Sequence, residues 1–243
     1  MSKPLSAAKI YFRSTHNLLY SYLISLPLLL LYEALIFITQ PDAEQVVRIS
    51  VDVWIKTLFA QVGQDVLSIT LIFVALLGIF IIYRERNKLG TLKINYFLLM
   101  LVEAGVYAYL LALIISQTLE SLLHMVQVSS VESLTTMQQL ALSLGAGLYE
   151  ELFFRVILVS LLIYLFKFLL SKKWVAVTAA VLLAAAIFSA VHYIGMLGDP
   201  FTMGSFLFRF LFGLALNGIY VWRGFGLAAW THALYDILVV AFL

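Results

Sequence analysis

Glu150 and Glu151 stand side by side in Leu148-Tyr149-Glu150-Glu151-Leu152-Phe153-Phe154-Arg155, an otherwise apolar stretch. Glu151 and Arg155 are four apart, which puts them on one helix face with the acid N-terminal, the favoured order for an ion pair. Glu150 then points about 100° away on the 3.6-residue repeat. One carboxylate is neutralised, and its neighbour is left free to take a proton near neutral pH, as a general base must. Two further pairs share the four-residue spacing. In Phe188-Ser189-Ala190-Val191-His192 it stacks the ring on the imidazole and fixes it. In His232-Ala233-Leu234-Tyr235-Asp236 it lets the carboxylate orient the imidazole and set its tautomer.

A base, a positioned water and an oxyanion donor are what water needs to attack an amide. Each pair also has a plainer reading: an ion pair locking two helices, an interhelical histidine, a buried hydrogen bond. The same residues leave other functions open. Glu150 with His192 and His232 is a His₂Glu set suited to hydrolytic zinc, although H-E-x-x-H and cysteine are both absent. Glu33, Glu103 and Asp236 could be stations of a proton-coupled transporter, but no matched Gly- or Pro-interrupted spans suggest inverted repeats. A noncatalytic membrane scaffold or immunity-type protein is the remaining alternative.

These residues must be positioned by membrane helices. Of 243 residues 63% are hydrophobic and 12% charged, against about 25% charged in average soluble domains. That excludes a disordered chain, a basic nucleic-acid-binding domain and a disulfide scaffold; with no cysteine, thiolate chemistry is excluded too. A span needs roughly 20 apolar residues. Residues 18–39, 66–83, 96–116, 137–168, 175–194, 204–221 and 225–243 qualify. The expectation is an all-α, polytopic transmembrane bundle of seven to eight spans, the eighth arising if the long fourth segment breaks. Residues 1–243 read as one integral-membrane domain, with divergent spans over 1–120 and the motifs over 137–243. Residues 46–58 read as an interfacial amphipathic helix, apolar at Val47, Val51, Trp54, Ile55 and Leu58 and polar at Arg48, Asp52 and Lys56; 119–131 is a weaker case. Small residues at Gly145, Ala146 and Gly147 leave room beside Glu150 for water or substrate. Glu103 and Arg209 are a candidate pair between spans three and six.

Lys and Arg cluster before span one, between spans two and three, and after span four. The positive-inside rule then makes the N-terminus cytoplasmic, in a cell (inner) membrane, with the first span an uncleaved anchor. On that topology Glu150 and His192 lie about 17–18 residues deep and His232 about 8, a mismatch of roughly 14 Å at 1.5 Å per residue.

Together, Glu150-Glu151-x-x-x-Arg155, Phe188-x-x-x-His192 and His232-x-x-x-Asp236 resemble the signature of the CPBP family, the CAAX prenyl protease and bacteriocin-processing (Abi) group of intramembrane glutamic endopeptidases. The stretch from Phe210 through Gly213 and Gly218 to Arg223 resembles the segment before that family's last motif. The resemblance implies that Glu150 activates water, Glu151 and Arg155 hold the motif in shape, His192 shares the water and His232 stabilises the oxyanion. It implies a peptide or protein substrate, such as a prenylated tail or a peptide precursor, with membrane lipid around it, no nucleic acid and no cofactor. The family's last motif often ends in Asn. Here Asp236 either carries a proton or accepts from His232 so that the other ring nitrogen donates; the second is expected.

Overall fold

The computed structural model describes residues 6–40, 47–61, 63, 66–119, 134–194 and 198–242. Residues 120–131 of the weaker amphipathic candidate, and Lys3 of the N-terminal basic cluster, lie outside these. The described residues are helical: α1 (Ala7–Thr15), α2 (Leu18–Thr39), α3 (Ser50–Ala60), α4 (Val66–Arg84), α5 (Ile94–Leu119), α6 (Thr136–Leu169), α7 (Lys173–Val191), α8 (Met203–Arg223) and α9 (Phe225–Phe242). Six of them, α2 and α5–α9, are long and apolar enough to cross a membrane. The second expected span, in α4, offers a shorter apolar helix, Ile69–Arg84. The expected all-helical membrane bundle is the architecture found.

Local chemistry sets the boundaries. Asn17 caps α2 by accepting from Tyr20 N–H at 2.9 Å, and Thr135 with Gln138 forms a capping box at α6. Gly224, at φ 89°, ends α8 and lets α9 begin one residue later; a side chain is strained at that φ. The hairpin so formed fixes α8 against α9.

Helix α9 runs through the middle, packed on α2, α5, α6 and α8. Four of its buried residues are small: Gly226, Ala228, Ala229 and Ala233. Among helices in lipid such residues let backbones approach closely. A Cβ on Gly226 would lie 2.4 Å from Ile24 of α2. On α7, Ala176, Ala180 and Ala184 make a similar stripe at four-residue spacing, and Asn217 of α8 donates to the Val181 carbonyl at 2.9 Å.

The fourth segment does not break: α6 is continuous over 34 residues and adds no eighth span. Helix α3 forms with its charged side turned toward α2 and apolar residues outward. Asp52 is fully buried while Trp54 and Leu58 are 49% and 62% exposed. The charges bond inward to α2, where Glu33 binds Arg48 at 3.1 Å and Lys56, and Tyr32 O–H donates to Asp52 at 2.6 Å. In an apolar solvent the polar face seeks protein partners, so amphipathicity alone does not say which face is inside.

Candidate active site

The middle of α6 is not α-helical. Ala146–Glu150 and Leu152–Val159 are π-helical turns, with ordinary α-helix on either side. Such widened turns are rare and recur at functional sites. Here α9 crosses α6 closely: a Cβ on Gly147 would fall 2.5 Å from the Ala229 carbonyl oxygen and 2.6 Å from Ala233 Cβ. A Cβ on Gly145 would meet the Tyr32 ring at 2.5 Å. The room expected at Gly145 and Gly147 is therefore not open to substrate. Their space is filled by α9 and Tyr32, and that close approach carries His232 to Glu151.

Glu151 and Arg155 are completely buried and pair, Arg155 Nη1 to Glu151 Oε1, at 2.9 Å. His232 Nδ1 meets the same oxygen at 2.7 Å. Its Nε2 lies 3.4 Å from Asp236 Oδ2, whose side chain is 29% exposed. The i,i+4 spacing placed His232 and Asp236 on one face correctly, but the tight partner of the ring is Glu151. With Asp236 at Nε2, the nitrogen expected to be left for an oxyanion is Nδ1, and that nitrogen is taken by Glu151. The reason is tertiary: Gly147 brings α6 nearer to the imidazole than the next turn of its own helix.

His192 caps the end of α7. Its Nδ1 lies 2.7 Å from the Phe188 carbonyl oxygen. A carbonyl only accepts, so Nδ1 carries hydrogen and, in the neutral ring, Nε2 offers a lone pair. Phe188 meets His192 edge to face at 5.0 Å between centroids rather than stacking. The same ring lies 6.4 Å from His232 and carries the Arg155 guanidinium at 4.5 Å. One phenyl ring thus separates the imidazoles and supports the buried cation. Gly213 makes its place, since a Cβ there would sit 2.8 Å from Phe188 Cδ1. Phe212 packs edge to face on His232 at 5.0 Å; the motif spacing gave no sign of it.

Glu150 is half-buried and has no hydrogen-bond partner among the described residues. It lies within electrostatic reach of His232, Asp236, Arg155 and Glu151. The residue before it, Tyr149, is buried and donates to Glu33 at 3.2 Å, which ties the α3 charges to the base of the site. Sequence reading did not single out Tyr149; its position next to Glu150 was the available signal.

The other membrane charges sort differently from expectation. Glu103 does not pair with Arg209. It binds Arg223 at 2.7 Å and 2.8 Å, and Arg209 binds Asp199 at 2.5 Å. The two arginines stand 14 residues apart on α8, roughly 21 Å, at opposite ends of the helix. The depth mismatch also resolves. Glu151 and His232 meet although they lie 18 and 7 residues from the ends of α6 and α9 on that side, so α6 extends well past the level where α9 starts. Among the described residues no group of three or more His, Asp or Glu side chains is placed to hold a metal ion.

Fold and site together define a helical membrane bundle with Glu151, Arg155 and His232 buried together at one helix crossing. Residues 132–238, which contain all three motifs, match the model of the Rce1-like family, described as type II CAAX prenyl endopeptidases, in agreement with the CPBP resemblance. No curated protein and no solved structure matches the chain.

Proposed function

We propose that this protein is an integral-membrane endopeptidase that hydrolyses a peptide bond with water activated by Glu150. The observation that carries the reading is an unpartnered carboxylate, Glu150, set directly beside the buried Glu151–Arg155–His232 cluster. In this mechanism Glu150 takes a proton from water as hydroxide adds to the amide carbon. His192 Nε2 accepts the water's second hydrogen bond. The oxyanion is met by His232 Nε2–H; an imidazolium here has a carboxylate at each nitrogen, and the longer contact, to Asp236, is the one an oxyanion displaces. Glu150 then returns the proton to the leaving amine. Glu151 and Arg155 act by holding the His232 ring and the widened helix.

The family match supports a CAAX-type substrate, a peptide or protein tail presented at the membrane, prenylated or not. The Lys and Arg distribution supports a cytoplasmic N-terminus, and no metal takes part in the proposed step. The test is cleavage of a peptide panel by the purified chain in detergent. Wild type cleaves with or without chelator, and Glu150→Gln does not. Cleavage by Glu150→Gln at a rate close to wild type, or its loss on chelation in wild type, overturns the mechanism.

A further inference from the structure

A cavity of about 380 Å³ opens between α3 and the start of α4, lined by Arg48, Val53, Lys56, Thr57, Ala60 and Leu67. None of the residues of the proposed active site borders it. Its polar end presents donors: Arg48 and Lys56 line it, while Glu33 and Asp52, which pair with both and balance their charge, do not. Arg48 reaches both carboxylates through Nη1 alone. Its Nη2 and Nε have no hydrogen-bond partner among the described residues, and the side chain keeps 22% of its surface. A planar fork of two donors suits a phosphate better than a point charge would. Apart from Thr57 the rest of the wall is apolar. Val53 and Leu67 are 43% and 47% exposed, and Leu58, Trp54 and Leu71 extend the same surface along the lipid-facing sides of α3 and α4.

A free anion has no use for that wall, and a neutral lipid has none for the two cations. Basic pockets between membrane helices hold anionic lipid headgroups for this combination of reasons. We infer that this cavity is a binding site for an anionic phospholipid, its phosphate on Arg48 and Lys56 and one acyl chain along Val53, Ala60 and Leu67. A zwitterionic lipid brings its own ammonium toward Arg48 and Lys56 and is disfavoured. The site is independent of whether the protein cleaves peptides.

The test uses the full chain in neutral detergent, titrated with phosphatidylglycerol, phosphatidylcholine or inorganic phosphate, and read by native mass spectrometry and by thermal unfolding. Wild type is expected to retain one phosphatidylglycerol with a raised Tm. Phosphatidylglycerol should raise the Tm more than phosphatidylcholine does, and inorganic phosphate alone should give no shift. Arg48→Gln removes the response but also strips a partner from Glu33 and Asp52. Ala60→Trp fills the cavity and leaves the ion network in place, and it too should lose the response. An undiminished shift in Ala60→Trp, an equal response to phosphatidylcholine, or a full response to inorganic phosphate overturns the proposal.

Discussion

Two buried arginine–glutamate pairs sit in this bundle, and they are built to different standards. Arg223 donates to both oxygens of Glu103, to Thr15 Oγ1 at 2.9 Å and to the Phe12 carbonyl at 3.3 Å. Glu103 also receives Tyr11 O–H at 2.6 Å and Tyr107 O–H at 2.7 Å, and the guanidinium lies over the Phe12 ring at 4.5 Å. At the other pair, Arg155 Nη1 and His232 Nδ1 crowd onto one oxygen of Glu151. Glu151 Oε2 and the guanidinium nitrogens of Arg155 have no geometrically sound hydrogen bond among the described residues. An unsatisfied buried polar atom is costly, and such exceptions gather where function needs them. The saturated pair ties α1, α5 and α8 into one unit. The unsaturated pair is where chemistry is proposed, because its atoms can still respond to a changing charge nearby.

The sharpest way to break this contrast is to remove one carboxylate's charge from each region. Glu150→Gln should cut peptide cleavage by roughly 10²–10⁴, the range for a general base, with unfolding unchanged. Glu103→Gln should do the reverse, lowering stability while cleavage per folded molecule stays near wild type. Equal activity losses from both would mean that the two regions do not divide chemistry from structure. Next in size, Arg223→Met leaves Glu103 buried without its cation and should destabilise by about 3–5 kcal/mol, read as a lower midpoint in detergent unfolding. Arg223→Lys should recover only part, since a single ammonium cannot span both oxygens as the planar fork does. A third change tests the crossing that assembles the site. Gly147→Ala forces a methyl against the Ala229 carbonyl and should destabilise by about 1–3 kcal/mol. It should lower cleavage more than its stability loss explains, because it pushes His232 away from Glu151. Unchanged cleavage would show that the approach of α9 does not matter to the site.

Helix existence was legible because a span is a one-dimensional signal: residues 18–39 match α2 in full. The intrahelical pairs were legible for the same reason. Glu151 with Arg155, and Phe188 with His192, need only the helical repeat to meet. What failed was everything that depends on a second helix. The partner of Glu103 was chosen by depth and missed, because Arg209 and Arg223 both lie on α8 and only packing selects between them. Gly145 and Gly147 were read as empty room, since a missing side chain looks the same in sequence whether substrate or another backbone fills the gap. The inward turn of the α3 charges could not be read, because amphipathicity marks two faces without saying which one meets protein. Within the site, the sequence gathered Glu150, Glu151, Arg155, His192, His232 and Asp236 as candidates but could not say which carboxylate holds which imidazole.

That last ambiguity gives the smallest and most discriminating expectation. Glu151 is wholly buried and 2.7 Å from His232 Nδ1; Asp236 is partly exposed and 3.4 Å from Nε2. A short bond to a buried carboxylate orients a ring far better than a long contact at a wetter edge, where water competes for the same oxygen. Asp236→Asn keeps shape and hydrogen-bonding capacity at that edge and removes only its charge. Cleavage should therefore fall by no more than about tenfold, about 1.4 kcal/mol in the barrier, and Glu151→Gln should cost more. If Asp236→Asn abolished cleavage while Glu151→Gln were tolerated, the ring would be governed by its own helix, as the four-residue spacing alone suggests. The closeness of α6 and α9 at Gly147 would then serve packing, and the division between a saturated lock and a responsive pair would have to be drawn through Asp236 instead of Glu151.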